Sequence, residues 1–468
     1  MNWIIRYYRY LIKTKAQTAK DAHPMEQILH IDALMYGSAG VGRLESGKAV
    51  FVDHSAPGDL VRVEITKEKK NFAEAKLLEV IEPGPARVAP ACPHAGVCGG
   101  CPWGHISYQH QLEAKRENTI AALCRIGGWS GEDARLIVEP CVGSKRQMGY
   151  RNKLELACST DEAGRLILGF MQEGSHQLIT PQSCPLAHKS IQAAPKKLAG
   201  ALRFLQGAGT ANGGLDLGLF RVGVRTSVRT KSTEIALWTK PGHFPRQAAV
   251  KVLSSALKAT SIVHVIADPG KERKVKQVER LHGKGFWEED LCGIRYMVSA
   301  PSFFQVNTAQ AETLVRTAIE GLGLDECSRV ADLYCGVGTF TLPMEQIAGE
   351  VIGVECAASS VRDLRRNADN NDAWVDVIGD DSARALPELG HLDALVVDPP
   401  RTGLADGVAQ DIANAAPERV AYISCNPTTW ARDVARLEAC GYALAKVVPV
   451  DLFPQTYHNE LVSIFERM

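Results

Sequence analysis

The stretch RVAYISCNP, residues 419–427, decides how this chain is read. Val420, Tyr422 and Ile423 have the β-branched and aromatic character of a buried strand, and Asn426, Pro427 and Thr428 are residues of a turn that opens a helix. Cys425 then stands at the carboxyl end of a strand. In an open parallel α/β sheet that edge is where ligands bind, so a thiol there faces chemistry, although a cysteine taken alone is most often a small buried hydrophobe. What raises Cys425 above that ordinary reading is its company: a glycine-bearing loop, the run Asp398-Pro399-Pro400-Arg401 and Glu460, all expected at the same edge.

From residue 292 onward strands and helices alternate. Residues 329–335, 350–355, 375–380, 392–398 and 419–425 read as successive strands, and 442–450 and 461–465 close the series as a doubly wound α/β sheet. The first strand-to-helix turn is DLYCGVGTF, residues 332–340. A Gly-x-Gly turn is weak evidence by itself, but here the third glycine of the dinucleotide fingerprint is missing and Phe340 and Thr341 follow instead. Without a pyrophosphate to cradle that glycine is unnecessary, so S-adenosylmethionine fits this turn better than a dinucleotide. Glu355, at the end of the second strand, is placed for two ribose hydroxyls.

Length divides the remainder. At about 150 residues per domain, 468 residues make about three domains. Residues 1–24, basic and aromatic, are expected to be a disordered extension, with Met25 a candidate start. Residues 25–83 carry short alternating strands broken by glycines, which predicts a small β-barrel of the oligonucleotide-binding type. Residues 84–290 form a central α+β region with a helix over 109–126, and residues 291–468 hold the doubly wound sheet.

Charge and cysteines bound the partners. Fifty-three basic and 53 acidic residues cancel, so a nucleic acid must be held by local patches. Candidates are residues 67–70, the run Arg221, Arg225, Arg229 and Lys231, and the run Lys271, Arg273, Lys274, Lys276, Arg280 and Lys284. Thirteen cysteines without a secretory leader argue for a reducing, cytoplasmic compartment, and no apolar run approaches the roughly 18 residues that span a bilayer. Cys92, Cys98 and Cys101, with CGGCPW at their heart, are spaced to grip one metal centre. Cys184, between prolines in PQSCPLAH, is the expected fourth ligand. Spacing alone favours zinc, which tolerates varied loops.

These signatures together resemble the RNA 5-methyluridine (uracil-C5) methyltransferases. The resemblance runs from about residue 27 to the end: a barrel like a TRAM domain, the cysteine cluster, FFQVN at 303–307, DLYCGVGTF, GVE, DPPRTG, SCNP and FPQTYHNE. It implies a class I methyltransferase fold, a [4Fe-4S] cluster on Cys92, Cys98, Cys101 and Cys184, and S-adenosylmethionine contacts from Gln305, Tyr334, Glu355, Asp380 and Asp398. It implies Cys425 as nucleophile and Glu460 as base. The implied partner is a loop uridine of RNA, 23S ribosomal RNA ahead of transfer RNA, bound by a monomer with no membrane association. Asp381 competes with Asp380, and Thr339 stands where some members carry Asn. Two other readings stand beside this one. An exocyclic-amine methyltransferase would place an aromatic residue after Asp-Pro-Pro, where Arg401 stands, and an RNA-binding protein without catalysis would not require Cys425 and Glu460.

Overall fold

The computed structural model describes residues 26–270 and 274–468. The expected disordered extension, and Lys271 and Arg273 of the last basic run, lie outside the described residues. The chain divides into two compact units, one of residues up to 89 with 105–107 and one of 90–104 with 108–468.

The first unit is a closed barrel of β1 (Glu26–Leu34), β2 (Ala39–Arg43), β3 (Ala49–Asp53), β4 (Leu60–Glu68) and β5 (Phe72–Glu82), in the order β1-β2-β3-β5-β4. Alternation does the sorting. Leu29, Ile31, Val50, Val52, Val61 and Val63 fill the interior while their neighbours along each strand face out. Ahead of β4, Gly58 takes φ 86° and the buried Asp59 accepts from the Ala56 and Gly84 amides at 2.7 and 2.8 Å. Arg87 pairs with the same carboxylate at 2.6 Å. Donors from three residues on one buried carboxylate explain why the turn needs an aspartate there.

The second unit opens with α1 (Tyr108–Arg125) and α2 (Gly131–Ile137). A seven-stranded sheet follows, built from β6 (Lys153–Thr160), β7 (Leu166–Met171), β8 (Leu178–Ile179), β9 (Leu219–Thr226), β10 (Thr233–Thr239), β11 (Ser261–Ala267) and β12 (Val275–Gly283). Its order is β12-β11-β10-β9-β6-β7-β8. Helices α3 (Ala194–Gln206) and α4 (Arg246–Ala256) bury Leu198, Leu202 and Leu253 with Leu154, Leu156, Val222 and Leu237 of the strands.

The expected phosphate face on β9 is not one. β9 lies between β6 and β10, and its residues 221 to 226 are buried on both faces of the sheet. The Arg221 guanidinium sits 3.8 Å from the Trp238 ring centre and pairs with Glu155 at 3.2 Å. Arg225, 3% exposed, donates to the carbonyls of Ser299 and Ser302 at 3.2 and 2.6 Å. Arg229 pairs with Glu312 at 2.5 Å. These cations are consumed internally.

A hairpin, β13 (Trp287–Leu291) and β14 (Ile294–Val298), leads through α5 (Thr308–Leu322) into the second seven-stranded sheet. Its elements are β15 (Arg329–Leu333), α6 (Thr341–Glu345), β16 (Glu350–Val354), α7 (Ala358–Asn370), β17 (Asp376–Ile378), α8 (Ser382–Ala385), β18 (Ala394–Val397), α9 (Val408–Ala415), β19 (Arg419–Ser424), α10 (Pro427–Ala439), β20 (Tyr442–Val450) and β21 (Glu460–Arg467). The order is β17-β16-β15-β18-β19-β21-β20, parallel except for β21, which pairs antiparallel with β19 and β20. Strands β15, β18 and β19 stop one or two residues before their expected ends. Tyr334, Asp398 and Cys425 thereby leave the ladder at one edge. Among the described residues no helix is long and apolar enough to cross a membrane.

Candidate active site and cysteine centre

Cys425 is the first residue beyond β19. Register puts Ser424 opposite Leu461, so one step further Cys425 comes opposite Glu460, the first residue of β21. Helix α10 starts immediately. Asn426 caps it by accepting from the Thr428 amide at 3.1 Å, and Pro427 fills the first turn, where its missing N–H costs nothing. Asn426 Nδ2 and Thr429 Oγ1 both donate to the Arg401 carbonyl at 3.1 Å, tying the Pro399-Pro400-Arg401 loop to this corner.

The electrostatics are lopsided toward acid. Burial pushes the Cys425 thiol up to about 11, with the charge of Glu460 adding to it, while Arg401 acts in the opposite direction by charge and by a hydrogen bond to the sulfur. Glu460, 6% exposed, is lifted well above the usual carboxylate range by burial and then by Asp398, again opposed by Arg401. Asp398 is pushed up to about 7 by burial. Burial thus favours the protonated form of both Cys425 and Glu460, and positive charge, such as that of Arg401, favours the ionised form of both.

The glycine-bearing turn is shaped for close approach. Tyr334 takes φ 63°, Gly336 59° and Gly338 94°, a run of left-handed backbone that only glycine adopts without cost. The Gly336 amide donates to Glu355 Oε2 at 2.9 Å, and the Ala357 amide to Oε1 at 2.6 Å. Gln305 is buried at the entrance to α5, where Asn152 Nδ2 holds its carbonyl at 2.9 Å. Asp380 ends the β17 side of the same edge but spends Oδ1 on Arg384 and on the Asp381 amide, while Asp381 caps α8.

Two participants carried no role in the sequence reading. Arg401 is the cation felt by both Cys425 and Glu460, and its place directly after Asp-Pro-Pro was the available signal. Asp332 lies fully buried at the end of β15, accepts from Thr341 Oγ1 at 2.6 Å, and leaves Oδ1 without a partner. Burial pushes it up to about 8.

The sequence profile described as tRNA (Uracil-5-)-methyltransferase matches residues 108–379 and 389–468, and that of the TRAM domain matches 26–78. The chain belongs to the RNA uracil-5-methyltransferase family. This family consists of S-adenosylmethionine-dependent RNA methyltransferases, and this member carries a TRAM barrel at its amino end. An RNA methyltransferase of Gloeobacter violaceus is 36% identical over 446 residues, covering 93% of this chain and 95% of that one. One of Halalkalibacterium halodurans is 32% identical over 444 residues, covering 93% and 96%. The crystal structure of Pyrococcus abyssi tRNA (uracil-54, C5)-methyltransferase with S-adenosyl-L-homocysteine superposes with TM-score 0.70 at 26% identity, covering 93% of this chain and 99% of that one.

The methyltransferase's four singled-out cysteines share one neighbourhood, each interacting through its charge with at least one other. Burial pushes Cys101 up to about 12 and raises Cys98 and Cys184, and all three also feel other thiols of the cluster. Amides of Gly100, Leu186 and Ala187 donate to the Cys98 and Cys184 sulfurs, and Arg151, whose buried Nε has no hydrogen-bond partner, supplies positive charge nearby. As placed, no three His, Cys, Asp or Glu side chains among the described residues close on a single ion.

Proposed function

We propose that this chain methylates C5 of a uridine in 23S ribosomal RNA through a covalent adduct between Cys425 and C6. The observation that carries the reading is Cys425 facing Glu460 across the β19–β21 pair with Arg401 on the thiol. Uracil C5 is too poor a nucleophile to take a methyl group unaided. Once the Cys425 proton has passed to solvent, addition of the thiolate to C6 sends the C5–C6 π electrons toward the C4 carbonyl and makes C5 an enolate carbon. S-adenosylmethionine would supply an electrophilic methyl group on a sulfonium, to which the C5 carbanion adds as the thioether leaves. Glu460 then takes the C5 proton, the C5–C6 double bond re-forms and the thiolate leaves. Gln305, Tyr334, Glu355, Asp380 and Asp398 are proposed to line the cofactor side. The target must leave its stack to reach this edge, which favours a loop uridine.

For the cysteine centre we infer a [4Fe-4S] cluster on Cys92, Cys98, Cys101 and Cys184. Amide donors aimed at sulfur and a cation beside four thiols suit thiolate ligation. Tetrahedral zinc needs sulfurs about 3.8 Å apart, from a Zn–S length of about 2.3 Å, whereas a cubane offers four separate corners and wider spacing. Anaerobically purified protein is expected to be brown with about four irons per chain. Stoichiometric zinc without iron would overturn this.

The barrel, residues 25–83, is assigned to RNA capture, residues 84–290 to the cluster and residues 291–468 to chemistry, in a cytoplasmic monomer. The Pyrococcus abyssi neighbour, named for a tRNA uridine, favours a second reading in which transfer RNA is the substrate. Mapping 5-methyluridine in ribosomal and transfer RNA from a deletion strain separates the two. Loss at one 23S position is expected, loss only in transfer RNA gives the second reading, and no loss in either overturns the assignment to uridine C5.

A further inference from the structure

Helix α1 buries a polar stripe. Gln111, Lys115 and Thr119 recur every four residues and so share one face, yet they are 0, 1 and 0% exposed. Buried polar side chains require partners, and all three find them in residues 451–459, the loop that ends at Glu460. Lys115 Nζ donates to Asp451 Oδ1 at 2.5 Å and to the Phe453 carbonyl at 3.3 Å. Gln111 exchanges bonds with Gln455: its Oε1 accepts from the Gln455 amide at 2.9 Å, and its Nε2 donates to the Gln455 side chain at 3.3 Å. Thr119 Oγ1 accepts from Asn459 Nδ2 at 3.4 Å, one residue before Glu460.

The loop also has a second attachment. Trp103, two residues beyond Cys101, donates its amide to the Gln455 carbonyl at 3.1 Å, and its own carbonyl accepts from Gln111 Nε2 at 3.2 Å. Gln455 itself adopts φ 73°, a left-handed conformation that a non-glycine residue keeps only when its surroundings impose it. These bonds brace the loop ahead of Glu460, while the ladder sets Glu460 itself opposite Val450 and, one step beyond the Ser424–Leu461 pair, opposite Cys425.

We propose that Gln111, Lys115 and Thr119 are positioning residues for the proton-abstraction step, holding the 451–459 loop so that Glu460 stays in reach of the C5 proton once the adduct has formed. The proposal rests on the reading of Glu460 as base. Adduct formation depends on Cys425, which stands between β19 and α10, outside the 451–459 loop that the stripe holds. Loosening the stripe should therefore slow resolution of the adduct more than its formation, because a misplacement of about 1 Å costs about a hundredfold in the step it affects.

The test uses total RNA from a deletion strain and radiolabelled S-adenosylmethionine in single turnover. It follows methyl incorporation and the decay of the denaturation-resistant protein–RNA complex separately. Thr119→Val and Gln111→Leu introduce no buried charge and should slow decay about tenfold or more while incorporation stays within about threefold. Thr119→Ser, which keeps the hydroxyl, should restore decay. Lys115→Met should exceed both, with the complex accumulating. Equal losses in the two rates, or a lowered melting temperature with unchanged decay, would overturn the positioning role. A Glu460→Gln control that stalls while Thr119→Val and Gln111→Leu decay normally would sink the positioning alone, and a Glu460→Gln control that turns over normally would sink the base reading with it.

Discussion

Two groups of charge in this molecule invite opposite mistakes. The β9 arginines share one strand face and look like a nucleic-acid surface, yet Arg221 lies on Trp238 and Arg225 is enclosed by backbone carbonyls. The catalytic edge is assembled from Asp398, Arg401, Cys425 and Glu460, which are spread along the chain and look unremarkable singly. There the acids outnumber the cations and are pushed up in pKa, whereas Arg221 pairs with Glu155 and Arg225 with backbone carbonyls of residues 299–302. Matched charge supports structure; mismatched charge that a substrate or cofactor can complete supports chemistry.

The largest expected effect breaks the acidic edge itself. Cys425→Ala should lower methyl transfer by about ten-thousandfold or more and abolish the covalent complex. Glu460→Gln should cut turnover about a hundredfold to a thousandfold while accumulating a methylated, denaturation-resistant complex. Both variants should bind S-adenosylmethionine like the parent, which is measured first by calorimetry. A Cys425→Ala enzyme that still makes 5-methyluridine would remove the reason to treat this edge differently from the central sheet.

Arg401 sharpens the comparison, since it is the cation that both Cys425 and Glu460 feel. The thiol is raised to about 11, so the thiolate fraction, and with it the single-turnover rate, should rise about tenfold per pH unit between about pH 6 and 9. Arg401→Gln removes an interaction that lowers the thiol pKa, so it should move this rising limb to higher pH and cut the rate about tenfold at pH 7.5. An unshifted limb would mean that Arg401 does not tune the sulfur.

How much of this was legible follows from what periodicity can encode. The central strands are continuous buried runs bounded by turn residues, so β15 to β21 and the placement of Cys425 and Glu460 at one edge could be read from the chain. Side-chain direction in loops has no period, and the reach of Arg401 to the Cys425 sulfur was invisible for that reason. The polar stripe Gln111, Lys115 and Thr119 violates the rule that buried helical faces are apolar, because its partners lie more than 300 residues away. The β9 run was misread by the same limit: nothing near Arg225 in sequence announces that residues 299–302 will cover it. Asp380 and Asp381 are adjacent in sequence and divide two structural tasks between them, a pairing with Arg384 and a helix cap.

The smallest expected effect returns to the two sets of cations as RNA ligands. If Arg221 and Arg225 are matched internally they release no counterions on binding, so Arg221→Gln should leave the slope of log affinity against log salt unchanged. Arg225→Met should lower stability by about 3 kcal/mol, because Glu234 and the carbonyls lose a buried cation, yet the surviving folded fraction should bind with the parental slope. The barrel behaves differently. Lys69 sits 5.4 Å from the Phe72 ring centre on an exposed hairpin, and Lys70 beside it is exposed too. Each such cation that meets a phosphate contributes about 0.7 to the slope for single-stranded RNA, so Lys69→Gln with Lys70→Gln should flatten it by about 1.4 and weaken binding severalfold at low salt. The measurement is filter binding of deletion-strain RNA across a salt series. A flattened slope in Arg221→Gln, or an unchanged one in the barrel variant, would reverse the assignment of structural and ligand-facing charge.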